Sequence, residues 1–214
     1  RPRADCNTMP DIDGLPAAAP DPLIAIERAD IAVAQGAGGL RDHPVVRALG
    51  KASEMADQPP LVAASLVMLG AGLISRRPAI ALAGLRMLTA HAAATGMKAV
   101  VKRSVDRSRP DVLIDEGRYV LAEGEHDEPR YNSFPSGHTA GAVAVAEAIA
   151  RTLPGAAWPL RAWALTIAAL QIPRSTHYPS DVGAGAAIGV AGDRLVRLAE
   201  SAARRRHRAW PRRE

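Results

Sequence analysis

The stretch that decides the fold is Asn132-Ser133-Phe134-Pro135-Ser136-Gly137-His138-Thr139-Ala140, in which a turn sequence leads into an Ala- and Val-rich segment. Ser136 is a favoured N-cap residue, so a helix is predicted to begin here. The free N–H groups in the first turn of a helix attract anions, and Gly137 lets the backbone approach them closely. His138 adds a group that exchanges a proton near neutral pH. The stretch predicts a phosphate-binding helix N-terminus, and by itself it leaves open a plain Ser cap followed by a surface histidine.

Composition narrows the fold and the partners. The chain has 214 residues, of which 48% are apolar, and this suits one domain with a sizeable core. Only 3% of the residues are aromatic, and Ala and Gly fill the apolar fraction, which favours closely packed helices. A net charge of +5 favours anionic partners. The single Cys6 excludes an intramolecular disulfide, and with no His or Cys cluster around it we expect no zinc site.

Apolar residues recur at helical spacing through most of the chain. We predict a poorly ordered lead-in over residues 1–22, a helical domain over residues 23–200 and a basic tail over residues 201–214. Residues 103–134 combine Pro, Gly and charges of both signs, which predicts a loop with at most short structure. The predicted fold class is all-α, a helical bundle of about five or six helices. The segments with the helical pattern are 23–35, 58–75, 79–101, 139–153, 158–172 and 181–199.

Three clusters of polar residues lie at the ends of predicted helices, at residues 102–110, 135–139 and 173–181. Connections such as residues 154–157 are short, so neighbouring helices must run in opposite directions. All three clusters then fall at one end of the bundle, where we expect the active site. The basic and histidine side chains brought together in this way are Lys102, Arg109, Arg174, His138 and His177.

The order and spacing of these residues resemble the phosphatidic acid phosphatase type 2 family, whose superfamily includes bacterial class A acid phosphatases and vanadium haloperoxidases. The matching motifs are Lys102 followed after six residues by Arg109-Pro110, then Pro135-Ser136-Gly137-His138, then His177 followed after three residues by Asp181. The resemblance covers roughly residues 60–200. Three ordered motifs are far more specific than any one of them.

The resemblance implies roles for the matching residues. It implies that His177 is the nucleophile and that Asp181 is its partner. It also implies a phosphate-binding set, which consists of Lys102 and Arg109 together with Ser136 and Gly137 of the second motif.

One position departs from the family pattern. The family has an Arg six residues before the nucleophilic histidine, and here that position is Gln171. Gln donates a hydrogen bond but carries no charge. We expect Arg174, one helical turn further on, to bind the phosphate in its place, and the alternative is that Arg174 is a solvated turn residue.

The residue types also fit phosphate chemistry in their own right. Lys102, Arg109 and the amides near Gly137 neutralise a phosphate without a metal, so we expect no metal and no cofactor. His177 as nucleophile would form a phosphohistidine, and Asp181 lies on the same helix face, where it can hold the required tautomer. His138 would protonate the leaving oxygen and later take a proton from the attacking water.

The sequence contains features for and against a membrane location. Residues 58–75 are uncharged but barely long enough to span a bilayer. The basic residues Arg76, Arg77 and Arg151 and the tail from Arg204 would lie opposite the motifs, which agrees with a bacterial-type inner membrane, the active site on its outer face and a cytoplasmic tail. Against this, the mean hydropathy of −0.04 is low, so a soluble protein is the alternative. The charged residues that interrupt the apolar runs are Arg86, Glu147, Arg161 and Asp193.

The sequence predicts a metal-independent phosphatase that hydrolyses a phosphate monoester or diphosphate of a lipid. Its expected partners are a phosphorylated lipid and a membrane, and no nucleic acid. The alternatives are a soluble acid phosphatase of broad specificity and, less favoured because the chain is short, a vanadate-dependent haloperoxidase. A catalytically impaired protein that binds anions or lipids in a membrane also stays open, because Gln171 replaces the family's Arg.

Overall fold

The computed structural model describes residues 22–124 and 128–209. The predicted all-α class is confirmed, but the described residues form eight α-helices rather than five or six. The helices are α1 (Pro22–Gly38), α2 (Pro44–Ser53), α3 (Gln58–Ile74), α4 (Pro78–Lys102), α5 (Pro110–Glu116), α6 (Gly137–Thr152), α7 (Ala157–Leu170) and α8 (Pro179–Ala209). Three single turns of 3-10 helix, Glu54–Ala56, Pro129–Tyr131 and Pro154–Ala156, connect some of them.

Residues 103–134, predicted as a loop with at most short structure, contain two short strands and one short helix. Strand β1 (Val105–Arg107) pairs antiparallel with β2 (Leu121–Glu123), and α5 lies between the two strands in the chain. Helix α5 begins with Pro110 in its first turn and ends at Gly117, whose φ of 65° is left-handed. With only seven residues, α5 is too short for its apolar spacing to stand out from the surrounding charges.

The chain ends were predicted to be a poorly ordered lead-in and a basic tail. The lead-in expected over residues 1–22 lies outside the described residues except for Pro22, where α1 begins. Helix α8 runs on to Ala209, so most of the segment expected to be a basic tail is helical. Ala and Arg are both strong helix formers, and they dominate residues 202–209.

Helices α4, α6 and α8 form the centre of the bundle, with α3 packed on α4 and α7 packed on α6. The core between them is made mainly of small side chains, which allow the helix backbones to approach closely. Its fully buried alanines include Ala83, Ala90, Ala94, Ala140, Ala142, Ala144 and Ala148. The alternating directions of these helices bring the end of α4 and the starts of α6 and α8 to the same end of the bundle.

The charged residues that interrupt the apolar runs are paired between helices. Arg86 of α4 binds Glu200 of α8 at 2.7 Å. Arg151 of α6 binds both Asp193 and Glu200, at 2.9 and 3.1 Å. A fourth pair, Arg161 with Glu147, joins α7 to α6 at 2.7 Å. Ion pairing of this kind lowers the cost of placing charges among apolar helices.

Apolar side chains also lie on the outer faces of α3, α4, α7 and α8. Those that are at least partly solvent-exposed include Leu66, Val67, Leu73, Ile74, Leu82, Leu85, Trp158, Leu165, Leu195 and Leu198. By length and composition, none of the described helices alone qualifies as a membrane span. One pair, Pro44–Ala56 with Gln58–Ile74, qualifies together although it is bent by 55°.

Candidate active site

A cavity of about 280 Å³ opens at the end of the bundle where the three polar clusters meet. Of the residues proposed from the sequence, it is lined by Lys102, Arg109, Gly137, His138 and His177. The other lining residues are Ala56, Asp57, Gln58, Pro59, His91 and Lys98. The structure therefore brings at least one member of each motif to a single cavity, while Ser136, Asp181 and Arg174 lie outside its lining.

Ser136 acts as the cap of α6. Its buried Oγ accepts hydrogen bonds from Thr139 N at 3.4 Å and from Thr139 Oγ1 at 3.0 Å. Its own backbone N–H donates to Asp181 O at 3.0 Å, which joins the start of α6 to the start of α8. Oγ accepts both of these bonds and its own proton is not used by the cap, so the phosphate contact expected from the Ser136 hydroxyl stays a prediction.

His177 is held by a backbone carbonyl and not by the expected carboxylate. Its ring is buried, and Nδ1 lies 2.7 Å from Ser133 O. A carbonyl only accepts, so Nδ1 carries the proton and Nε2 of the neutral ring has a free electron pair. Asp181 Oδ2 is 3.8 Å from Nδ1, beyond hydrogen-bond distance, so it acts on the ring through its charge.

Asp181 positions the histidine indirectly. Its Oδ2 accepts from Ser133 Oγ at 2.6 Å and from Tyr178 N at 2.8 Å. These two bonds fix the residue whose carbonyl holds His177 and the residue that follows His177 in the chain. The carboxylate therefore orients the imidazole through Ser133, which corrects the direct contact predicted from the helical spacing.

Asp181 belongs to a buried network of charged side chains. Arg107 of β1 donates from Nη1 to Asp181 Oδ1 at 2.6 Å and from Nη2 to Asp30 Oδ2 at 2.8 Å. Asp30, on α1, also accepts from Ser180 N at 3.0 Å. The guanidinium lies over the ring of Tyr178, 4.2 Å from its centroid. The sequence predicted no role for Arg107 or Asp30. The signal that could have indicated a buried role for Asp30 is its position between apolar residues of α1.

The cations on the cavity wall are only partly engaged by the protein. Lys102 Nζ donates to Asn132 O at 2.5 Å. Arg109 Nε is buried and has no hydrogen-bond partner among the described residues. A buried donor of this kind is available to an anion in the cavity. Within the same described ranges, no three His, Cys, Asp or Glu side chains are grouped to hold a metal ion, and metal independence stays a prediction.

The surroundings shift the protonation of Lys102 and His177. Burial lowers the pKa of Lys102 to about 8; the charges of Arg109 and Lys98 add to this shift and Asp181 opposes it. Burial also lowers the pKa of His177 below its usual value, with Asp181 opposing and the charges of Arg109 and Lys102 adding to the shift. His177 is therefore neutral at pH 7, as a nucleophile must be.

His138 has a partner that the sequence did not indicate. Its Nε2 lies 2.9 Å from Oδ1 of Asp57, which precedes α3 and also lines the cavity. Burial lowers the pKa of His138, and the Asp57 carboxylate opposes this shift by favouring the imidazolium, the form that donates a proton. The pair joins residues 81 positions apart, a separation at which the sequence carries no spacing signal.

Arg174 does not take the position expected for it. Its Nη1 donates to Ser53 Oγ at 2.6 Å, and its side chain packs along Gly50 of α2. Gln171 is fully buried; its Nε2 donates to Ile167 O at 2.8 Å and its Oε1 accepts from Thr176 Oγ1 at 3.1 Å. The loop before His177 thus directs Arg174 towards α2, away from the cavity lining.

His91 of α4 is a third histidine of the cavity wall, beside His138 and His177. It is buried, and neither ring nitrogen has a hydrogen-bond partner in the described part of the chain. Its ring lies near Gly141 of α6.

Comparison with known proteins gives the following matches. The model of the PAP2 superfamily matches residues 83–205. Lipid A 1-phosphatase of Rhizobium johnstonii is 34% identical over 90 residues, which cover 42% of this chain and 36% of that protein. Decaprenylphosphoryl-5-phosphoribose phosphatase of Mycobacterium tuberculosis is 34% identical over 136 residues, which cover 61% of this chain and 67% of that protein. The chain thus spans little more than a third of the first relative.

The fold is also similar to a solved structure. The crystal structure of a transmembrane PAP2 type phosphatidylglycerolphosphate phosphatase from Bacillus subtilis superposes with a TM-score of 0.63. The match covers 83% of this chain and 87% of that chain, at 22% identity. At this level of identity the similarity establishes the arrangement of the helices.

The lowered pKa of Lys102 predicts a loss of activity at alkaline pH. As the pH rises through about 8, the ammonium loses its proton and one cation of the free enzyme disappears. We expect kcat/KM for a phosphomonoester to fall above this pH, while kcat falls later because a bound dianion keeps the lysine protonated. Lys102→Arg should retain kcat/KM at higher pH, since guanidinium stays charged. Identical pH profiles for wild type and Lys102→Arg would contradict this assignment.

The buried network predicts that Asp30 stabilises the fold. Asp30→Ala leaves Arg107 with one of its two carboxylates, and breaking a buried ion pair costs about 3–5 kcal/mol. Asp42→Ala is the matched control, because Asp42 is exposed and its change should stay within about 0.5 kcal/mol. Urea unfolding of both variants in the same detergent measures the difference. Equal free energies of unfolding would show that the network adds no stability.

Proposed function

The chain belongs to the PAP2 superfamily, and from this premise we propose that it is a metal-independent phosphatase that removes phosphate from a lipid phosphomonoester through a phosphohistidine. The observation that carries the proposal is His177, a buried and neutral imidazole on the wall of a cavity that also holds Lys102 and Arg109. A neutral ring beside two cations is suited to attack a bound phosphate dianion.

The first step transfers the phosphoryl group to the enzyme. Lys102, Arg109 and the amides at the start of α6 bind the phosphate oxygens. Nε2 of His177 then forms a bond to phosphorus as the bond from phosphorus to the alcohol oxygen breaks. His138 donates its proton to that oxygen, and the alcohol leaves. The ring of His177 gains positive charge, which Ser133 O and the nearby Asp181 stabilise.

The second step restores the enzyme. His138 is now neutral, so it takes a proton from a water molecule as the water oxygen attacks phosphorus. The bond between phosphorus and Nε2 breaks, inorganic phosphate is released and His177 returns to its neutral form. Asp57 stabilises the imidazolium of His138 that this step regenerates.

Two observations support a lipid as the carrier of the phosphate. The names of the bacterial relatives describe phosphatases of lipid A and of decaprenylphosphoryl-5-phosphoribose. On this chain, apolar side chains such as Leu66, Val67 and Leu165 are exposed on the sides of the bundle, whereas Arg86 and Arg151 are paired between helices. An apolar exterior over paired internal charges suits contact with lipid.

We infer a matching orientation in a bacterial inner membrane. The cavity lies at one end of the bundle, and the turn containing Arg76 and Arg77 lies at the other, with the end of α8 and its residues Arg204 and Arg205. Basic residues favour the cytoplasmic side, so the cavity would face the outer side, beyond the lipid-facing part of the helices. The phosphate group of a lipid would reach the site from the membrane surface.

Removal of the nucleophile tests the mechanism. His177→Ala should abolish turnover of a chromogenic phosphomonoester and of a lipid phosphate in mixed micelles, both with EDTA present, because no atom remains to form the bond to phosphorus. Binding of vanadate should largely survive through Lys102 and Arg109. His43→Ala is the matched control, since His43 is an exposed cap of α2.

Enzyme quenched in alkaline SDS, in which the P–N bond of a phosphohistidine survives, should carry label from a ³²P-labelled substrate in the wild type and not in His177→Ala. Turnover of the variant at the wild-type rate would refute the phosphohistidine mechanism. A wild-type protein that binds vanadate but turns over no phosphate ester would instead be an anion-binding protein, the alternative that Gln171 left open.

The lipid-facing surface predicts how the protein fractionates. The full chain should stay with membranes after alkaline carbonate extraction and should be released by detergent, because the exposed apolar residues favour the hydrocarbon phase. Immunoblotting of the two fractions measures this. Release by carbonate alone would place the enzyme in the soluble class of phosphatases.

A further inference from the structure

The phosphate cavity lacks a charged side chain at position 171, where the resembled family has Arg. Gln171 is fully buried, and hydrogen bonds to Ile167 and Thr176 engage both ends of its amide. The guanidinium of Arg174 is held by Ser53, outside the cavity lining. The charge of Arg174 acts on His138, but neither Gln171 nor Arg174 lines the cavity. Of the cations assigned to the phosphate from the sequence, only Lys102 and Arg109 line it.

Lys98 lies where a third cation is needed. It is one helical turn before Lys102 on α4, and it lines the same cavity. A Cβ atom built on Gly137 would be 3.4 Å from Lys98 Nζ, so the ammonium lies against the first residue of α6. The free N–H groups of that turn point towards the anion site. We propose that Lys98 is the third phosphate-binding cation of this protein and compensates for Gln171, an inference that rests on the proposed function.

The contacts of the two lysine ammonium groups support phosphate binding by Lys98. Lys102 Nζ is hydrogen-bonded to Asn132 O, whereas no hydrogen bond or ion pair holds the Lys98 ammonium within the described ranges. Asp57, the carboxylate on the same wall, is paired with His138, and its charge also favours the Lys98 ammonium without bonding to it. Two lysines at positions i and i+4 repel each other, so their proximity lowers stability in the empty protein. An anion between them would remove that repulsion.

The test compares Lys98→Met, Lys98→Arg and Lys51→Met. Met keeps most of the length of the lysine side chain without its charge, and Lys51 is an exposed residue of α2 that serves as the control. The probes are inorganic phosphate and vanadate as competitive inhibitors, with a chromogenic phosphomonoester as substrate. We expect Lys98→Met to lower kcat/KM and to raise the inhibition constants by roughly ten- to a hundredfold, the loss typical of one charge-assisted contact.

Two further results separate phosphate binding from a structural role. Lys98→Arg should restore kcat/KM to within about threefold of wild type, because the charge returns. The melting temperature of Lys98→Met without ligand should equal or exceed that of wild type, whereas the rise caused by vanadate should shrink. A lowered melting temperature that Lys98→Arg does not restore would show a packing role and overturn the inference.

Wild-type inhibition constants in Lys98→Met would also overturn it, as would a larger effect of Arg174→Ala than of Lys98→Met on phosphate binding. These failures differ from failure of the proposed function. If wild type releases no phosphate but its vanadate binding depends on Lys98, the site assignment stands and the phosphatase proposal fails. If wild type is active and Lys98→Met matches it, only the present inference fails.

Discussion

The site depends on one buried guanidinium, that of Arg107, placed between Asp30 and Asp181. Charged groups withdrawn from water are tolerated only when their partners are in place, so the three residues must assemble together. They come from α1, from β1 and from the start of α8, which are distant in the chain. Asp181 then holds Ser133, whose carbonyl holds His177. The orientation of His177, the proposed nucleophile, therefore depends on an ion pair to which its ring makes no hydrogen bond.

The charges around His177 are arranged in two layers. Cations line the cavity in front of the ring, and behind it two carboxylates share one guanidinium, which leaves a net negative charge. The front layer attracts phosphate and, together with burial, keeps the ring neutral. In the proposed mechanism, the rear layer would stabilise the positive charge of a phosphorylated ring. The same histidine would then serve as the neutral nucleophile and as the phosphorylated intermediate.

The rest of the bundle also depends on close helix packing and on charges that are paired between helices. Its small core residues let the helix backbones approach closely, which brings the ends of α4, α6 and α8 near enough to share one cavity. At the opposite end, Arg86 and Arg151 of two helices converge on Glu200 of a third. The charges that interrupt the apolar helices thus bind the helices to one another, while apolar residues remain outside.

The sequence by itself determined the helices with long apolar patterns and the motif residues that share the cavity: Lys102, Arg109, Gly137, His138 and His177. These follow from local spacing, capping and helix direction, which act over a few residues. Tertiary structure alone decided that Ser133 holds His177, that Asp57 pairs with His138 and that Arg174 turns to Ser53. The first partner is a backbone carbonyl, a group that every residue has, so no sequence pattern marks it. The other contacts depend on how the helices are rotated and on the path of the loop before His177, which are settled only when the whole bundle packs.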